Sequence, residues 1–434
     1  MRTLDREILR LAGPALAALA AEPLYVLADT AVVGHIGPEA LAGLAVASSI
    51  LLVGYAVFIF LAYGTTASVA RLLGAGDGRE AAHQAVQGMW LAAACGVVVG
   101  LVTFALSGPL LTLLGATGAV REQAAIYLNI SLLGVPAMLV VLAGTGYLRG
   151  LQDTRTPLYV SLGSALLNLV IELVLIPGMG FGIGASALST VIAQWTSAAI
   201  YVLWVARAVR RHEVPLGPHG RTLRRLAVVG RDLFLRTAAL RGSLLLATAV
   251  ATRIGTVDVA AHQIAFEIWS FLALVLDALA IAGQSMIGRF LGAGSALEAR
   301  AAGRRLLEWG AGAGVVLGVA VLVLRPWLPH LFTNDAAVAT LAGFLLLWVA
   351  VLQPVNGVVF VLDGLLIGAG DMAFLAWAMW IAFAVFATGA VLVLVLGLGI
   401  GWLWACLAAL MLSRLTVLGL RWRTDGWAVT GATR

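Results

Sequence analysis

Lysine is absent from these 434 residues, and charged residues of any kind make up only 11% of them. Cysteine occurs twice, at Cys95 and Cys406, each inside an apolar run, which excludes a disulfide framework and any CxxC metal site. Short alternating strands are missing, so a membrane β-barrel is excluded. No DxxD or DDxxD pattern occurs, which removes the paired aspartates that a membrane prenyltransferase needs for magnesium diphosphate. The basic residues, all arginine, are not gathered on one face with stacking aromatics, so the net charge of +6 does not point to nucleic acid.

What is present is hydrophobic sequence: 62% of the chain, with a mean hydropathy of +1.01. Apolar blocks of about 20 residues, broken by charged or Gly/Pro-rich stretches, define a polytopic α-helical membrane protein. Twelve such segments lie near 8–33, 41–70, 84–107, 123–148, 157–176, 183–206, 228–252, 259–288, 306–324, 336–367, 373–396 and 400–420. With the N-terminus inside, 24 of the 27 arginines fall on cytoplasmic segments and flanks, leaving Arg121, Arg253 and Arg325 outside. That asymmetry places both termini in the cytoplasm, and the expected location is the inner, cytoplasmic membrane. The first span starts within about ten residues and shows no small-residue cleavage site, so no removable signal peptide is expected.

The longest polar stretch, ARAVRRHEVPLGPHGRTLRRL at 206–226, divides six spans from six. One offset of 218 positions carries Ile36-Gly37 onto Ile254-Gly255, Arg71 onto Arg289, Gly74-Ala75-Gly76 onto Gly292-Ala293-Gly294, Pro136 onto Pro354, Gly146 onto Gly364 and Asp153 onto Asp371. The chain is therefore read as a tandem repeat: a six-helix bundle at 1–206, a solvated cytoplasmic linker at 207–227 and a second bundle at 228–434. An even number of spans per repeat keeps both in one orientation, related by a pseudo-two-fold along the membrane normal. Transporters of that plan hold substrate between their bundles and alternate access by rocking them.

PLYVLADTAVVGHIG at 23–37, RLLGAGDGREA at 71–81, GYLRGLQDTRTP at 146–157, VAAHQIAFEIWSF at 259–271 and VLDGLLIGAGD at 361–371 resemble the multidrug and toxic compound extrusion (MATE) family, in the branch named after DNA-damage-inducible protein F. The likeness covers essentially the whole chain. It implies a cation-coupled exporter, not an enzyme, that exchanges protons or sodium ions for amphipathic, often cationic, organic compounds. It implies no cofactor beyond a possible sodium ion, and a monomer as the working unit.

An ionised carboxylate near the bilayer centre costs about 2.5–3.5 kcal/mol on insertion scales and persists only if buried, paired or proton-bearing. Asp29 is such a group, read either as a neutral core acid or as a cation-binding carboxylate. Asn168 and Glu172 are four apart and share a helical face; Thr190 adds a hydroxyl on the next span. The resemblance carries the family's N-lobe cation site onto Asp29, Asn168, Glu172 and Thr190, with Glu172 standing where aspartate is common. An all-oxygen set suits a hard cation such as sodium, or a proton network. Tyr127 matches an aromatic position of the same cavity and reads equally as an interface anchor. Glu22, seven residues before Asp29, is a relay acid or a hydrated rim acid. Pro14 and Pro23 can kink the first helix, and Pro14 matches the family's bend position.

In the second half His262, Gln263, Glu267, Asp277 and Asp363 resemble the branch's C-lobe polar cluster. They would contact substrate, close the lobe, or serve as a polar network between helices. PGMGFGIG at 177–184 imitates a nucleotide fingerprint but joins two spans with no preceding strand, and reads as a turn. Arg71 and Arg289 would snorkel or clasp neighbouring loops. The alternative function is a flippase for lipid-linked oligosaccharides, from the related superfamily. It would be expected to line its cavity with basic residues, against the peripheral arginine pattern.

Overall fold

In the computed structural model, which describes residues 2–433, the chain is helical from end to end, with no strand among the described residues. Eleven helices, or helix pairs without a break, are long and apolar enough to cross a membrane. They are α1 (Arg2–Gly34), α4 (Gly78–Leu113), α5 (Gly118–Ser131) running through a 3-10 turn into α6 (Val135–Gly150), α7 (Arg155–Leu173), α8 (Ile183–His212), α9 (Gly220–Ile254), α10 (Thr256–Gly292), α11 (Ala296–Leu324), α12 (Ala336–Gly368), α13 (Met372–Val395) and α14 (Ile400–Arg423). The remaining span is split at Ile59 into α2 (Pro38–Phe58) and α3 (Phe60–Gly74). That makes the expected twelve.

The helix starts follow local chemistry. Asp77 accepts from the Glu80 amide at 2.9 Å, and Ser295 from the Glu298 amide at 3.3 Å, so equivalent residues of the two repeats cap α4 and α11. The turns just before them need a left-handed residue, supplied by Gly76 (φ 75°) and Gly294 (φ 82°).

By packing, the chain forms two units: Gly13–Gly230, and Met1–Ala12 together with Arg231–Arg434. Inside each, the repeat recurs as the same close helix contacts. A Cβ on Gly146 would meet the Ala62 carbonyl oxygen, and one on Gly364 the Ala280 carbonyl oxygen; Gly96 abuts Pro136 and Gly314 abuts Pro354. All four partners obey the offset of 218. Small residues at these points let helix backbones approach closely, which supplies packing where lipid offers no hydrophobic drive.

The repeat drifts by one residue later on. Left-handed Gly180 corresponds to Gly397, and the α8 cap Gly182 to the α14 cap Gly399, an offset of 217. The extra residue of the first repeat falls in the region where α7 ends in a π turn, Val174–Gly178, directly after Glu172. A π turn accommodates one inserted residue in a helix and is frequent beside functional groups.

The midchain stretch is not free chain. Gln87 on α4 grips it with both ends of its amide: Nε2 donates to the Gly217 carbonyl at 3.0 Å, and Oε1 accepts from the His219 amide at 2.8 Å. Trp90 Nε1 donates to the Leu216 carbonyl at 2.8 Å. α9 starts at Gly220 and runs with the first unit up to Gly230, which packs on the Phe60 ring. Conversely the first turns of α1 belong with the second unit. There Asp5 takes Arg305 (2.6 Å) and the Trp309 indole (2.9 Å), and Glu7 takes Arg289 (2.7 Å). α1 stays helical through Pro14 and Pro23, and Pro14 sits where the helix passes from one unit's packing to the other's.

Candidate functional site

The end of α1 is held in the first unit by a core of Val33 with Leu44 (α2), Leu111 (α4), Leu128 (α5) and Ile183 (α8). Asp29 is one turn before Val33, and Ser186 one turn after Ile183, so the contacts that seat the two helices also bring these two side chains face to face. Ser186 Oγ donates to Asp29 Oδ1 at 2.6 Å, and both residues are buried.

α7 closes the cluster. Glu172 is fully buried and faces Asp29 and Ser186, yet neither of its carboxylate oxygens has a hydrogen-bond partner. The Asn168 amide nitrogen, one turn earlier, donates to the Tyr25 hydroxyl (3.2 Å) and to Thr190 Oγ1 (2.9 Å), while its Oδ1 is unpartnered. Thr190 passes its own proton to the Ser186 carbonyl (3.1 Å), so Tyr25, at 2.8 Å, is the donor to Thr190. The buried Tyr127 ring on α5 packs in the same core as Val33 and Ile183, within electrostatic reach of Asp29 and Glu172.

Five of the sequence-derived positions, Asp29, Asn168, Glu172, Thr190 and Tyr127, therefore meet in one place. Two partners went unread: Tyr25, four residues before Asp29, and Ser186, four before Thr190. The same four-residue spacing that flagged Asn168 and Glu172 would have found both. Glu22 sits two turns away on an exposed stretch of α1, close to Tyr55.

The electrostatics of the cluster follow from its composition. Two carboxylates adjoin in a buried pocket with no basic residue among their described partners, and three of the oxygens there lack a donor. Buried like charges of this kind demand a proton or a small cation. The unsatisfied atoms are all oxygen, the ligand type of hard cations.

The second unit has no copy of it. The repeat offset places Ala247, Phe386, Ala390, Leu403 and Leu407 at the positions of Asp29, Asn168, Glu172, Ser186 and Thr190, and all five are buried apolar residues.

The second-half set separates. Asp363 on α12 is clamped by Arg236 on α9 (2.5 Å) and Arg414 on α14, with Asp277 of α10 near Arg414. His262 is buried with neither ring nitrogen partnered, stacked on Phe266 and edge-on to Trp404. Gln263 and Glu267 hydrogen-bond to each other at 2.8 Å on the exposed side of α10. Counting arginines by segment put Arg236 and Arg414 at the cytoplasmic edge; both are buried, as is Arg71. The signal for Arg414 was its place inside the apolar run LMLSRLTVLGL.

Twelve spans in two helical repeats, with a carboxylate cluster buried in one of them, is the build of a secondary transporter. The chain belongs to the MATE family: the MatE family model matches residues 14–174 and again 234–393, once in each repeat. It is 35% identical to Protein DETOXIFICATION 44, chloroplastic, of Arabidopsis thaliana, over 86% of this chain and 74% of that one. It is 28% identical to DNA damage-inducible protein F of Escherichia coli, over 98% and 94%. The fold matches the outward-facing conformation of a multidrug resistance MATE family transporter with a TM-score of 0.84, at 22% identity, over 96% and 94% of the two chains. Membership makes the chain a multi-pass membrane transporter and not an enzyme.

Proposed function

We propose that the chain is a secondary antiporter of the cytoplasmic membrane that exports amphipathic or cationic organic compounds in exchange for protons or sodium ions. The observation that carries this is the Asp29–Glu172 pair, two buried carboxylates with no basic residue among their described partners and with both Glu172 oxygens unsatisfied. Ser186 fixes one oxygen of Asp29, and the pair of acids shares a proton or a cation. Tyr25, Asn168 and Thr190 form the wall behind them. Loading the pair relieves the repulsion; hydration on the other side of the cycle releases the ion. The arginine pattern supports cytoplasmic termini, and one chain holds the whole cluster, which supports a monomer.

A flippase reading gains nothing from the buried arginines, since Arg236 and Arg414 are both engaged by Asp363.

The experiment is dye efflux from proteoliposomes under an imposed pH gradient or an imposed sodium gradient. Wild type should respond to one of the two, and Asp29→Asn and Glu172→Gln to neither, with all three proteins inserted equally. Wild-type exchange by Asp29→Asn would refute the proposal.

A further inference from the structure

The connection between α11 and α12 borders an open crevice of about 470 Å³ in the second unit, at the end of those helices away from the Gly292–Ser295 turn. Arg325 and His330 stand at it, and Pro329, Gly343, Phe344 and Leu347 supply apolar walls. Arg325 has no ion-pair or hydrogen-bond partner among the described residues. The nearest acid in sequence, Asp335, is spent on capping α12 through the amides of Ala337 and Val338 (2.8 and 3.1 Å). The adjoining Trp327, Leu331 and Phe332 are 62%, 77% and 54% exposed. Large exposed apolar side chains with a tryptophan beside an arginine are the composition of a membrane–water interface.

We propose that this crevice binds an anionic phospholipid, with its phosphate on Arg325 and its acyl chain along Phe344 and Leu347. A cationic mouth over an apolar wall matches a molecule that is anionic at one end and hydrocarbon at the other. At the depth of the interface, lipid phosphate is the anion at hand, and an arginine fork is the side chain suited to it. The two repeats place their cations here differently: in the first unit the arginine at this end is Arg121 of α5, with its guanidinium beside Gly108. At the equivalent end of the first unit, Ser107 and Thr112 stand in place of Arg325 and His330, and both hydroxyls are turned back onto their own helix, at 2.8 and 3.0 Å.

Two variants test it by different routes. Arg325→Gln removes the charge. Gly343→Leu fills the crevice, and the helix accepts a side chain there because a Cβ on Gly343 meets nothing within 4 Å. Each protein is reconstituted in nanodiscs of phosphatidylcholine doped with phosphatidylglycerol, and retained lipid is counted by native mass spectrometry, with melting temperature as the folding control. Wild type should keep one phosphatidylglycerol in preference to phosphatidylcholine, and both variants should hold it at least about fivefold less tightly while melting like wild type. Equal retention by all three, retention without preference for the anionic lipid, or displacement of the lipid by millimolar inorganic phosphate would each overturn the proposal.

Discussion

Ser186 decides how Asp29 presents itself. Its hydroxyl holds one carboxylate oxygen at 2.6 Å, beside the neighbouring acid Glu172. A hydrogen bond to a charged group is worth about 1.5–3 kcal/mol, hence roughly tenfold to a hundredfold in cation affinity. Ser186→Ala should therefore shift the cation concentration for half-maximal efflux by about tenfold or more, and Ser186→Thr should restore it; an unchanged value would remove Ser186 from the coupling site. Asp363 belongs to a different kind of residue-scale device. Asp363→Asn would take from Arg236 and Arg414 the carboxylate they share in the protein interior, and losing one member of a buried charge cluster costs about 3–5 kcal/mol. The expected result is a clear fall in melting temperature, read by thermal unfolding in detergent.

At the scale of helices, the contacts that hold each repeat together are glycines facing backbone. Gly146→Ala and Gly364→Ala each push a methyl group into a neighbouring carbonyl, and overpacking of this sort costs about 1–3 kcal/mol. Gly312→Ala on α11 is the control, since nothing lies within 4 Å of its Cβ, and it should be neutral or slightly stabilising. Thermal melts of the three proteins check the contrast. Gln87 is the matching device for the tether. Gln87→Ala deletes two hydrogen bonds to chain atoms at 217 and 219, each worth about 0.5–1.5 kcal/mol. Proteolytic nicking between 213 and 219 should then speed up by about tenfold, because cleavage follows the population of the released segment.

For the whole molecule, two repeats with the same scaffold have diverged in their interiors. The first repeat carries two acids, an amide and two hydroxyls where the second carries Ala247, Phe386, Ala390, Leu403 and Leu407, so one cluster, not two, serves the proposed exchange. Moving one charge through 100 mV supplies about 2.3 kcal/mol, which sustains a gradient of about 40-fold for a neutral substrate. The steady-state ratio in proteoliposomes clamped at stepped potentials should follow that slope; a slope near its square would mean two charges per cycle and a second ion site.

The sequence by itself determined the twelve spans and the repeat, because lipid rewards long apolar runs and a duplicated helix pair keeps its glycines in register. It also marked Asp29 as a costly acid in an apolar helix and paired Asn168 with Glu172 by turn spacing, whereas joining these three with Thr190 rested on the resemblance to the MATE family. Tyr25 and Ser186 did not stand out, being ordinary residues in a span until a neighbouring helix faces them. Only tertiary structure could turn Arg236 and Arg414 from peripheral charges into partners of Asp363, and the midchain stretch from loose tether into a strap under Gln87. Charge counted along a chain records which residues are present, whereas burial and pairing depend on which helix lies alongside.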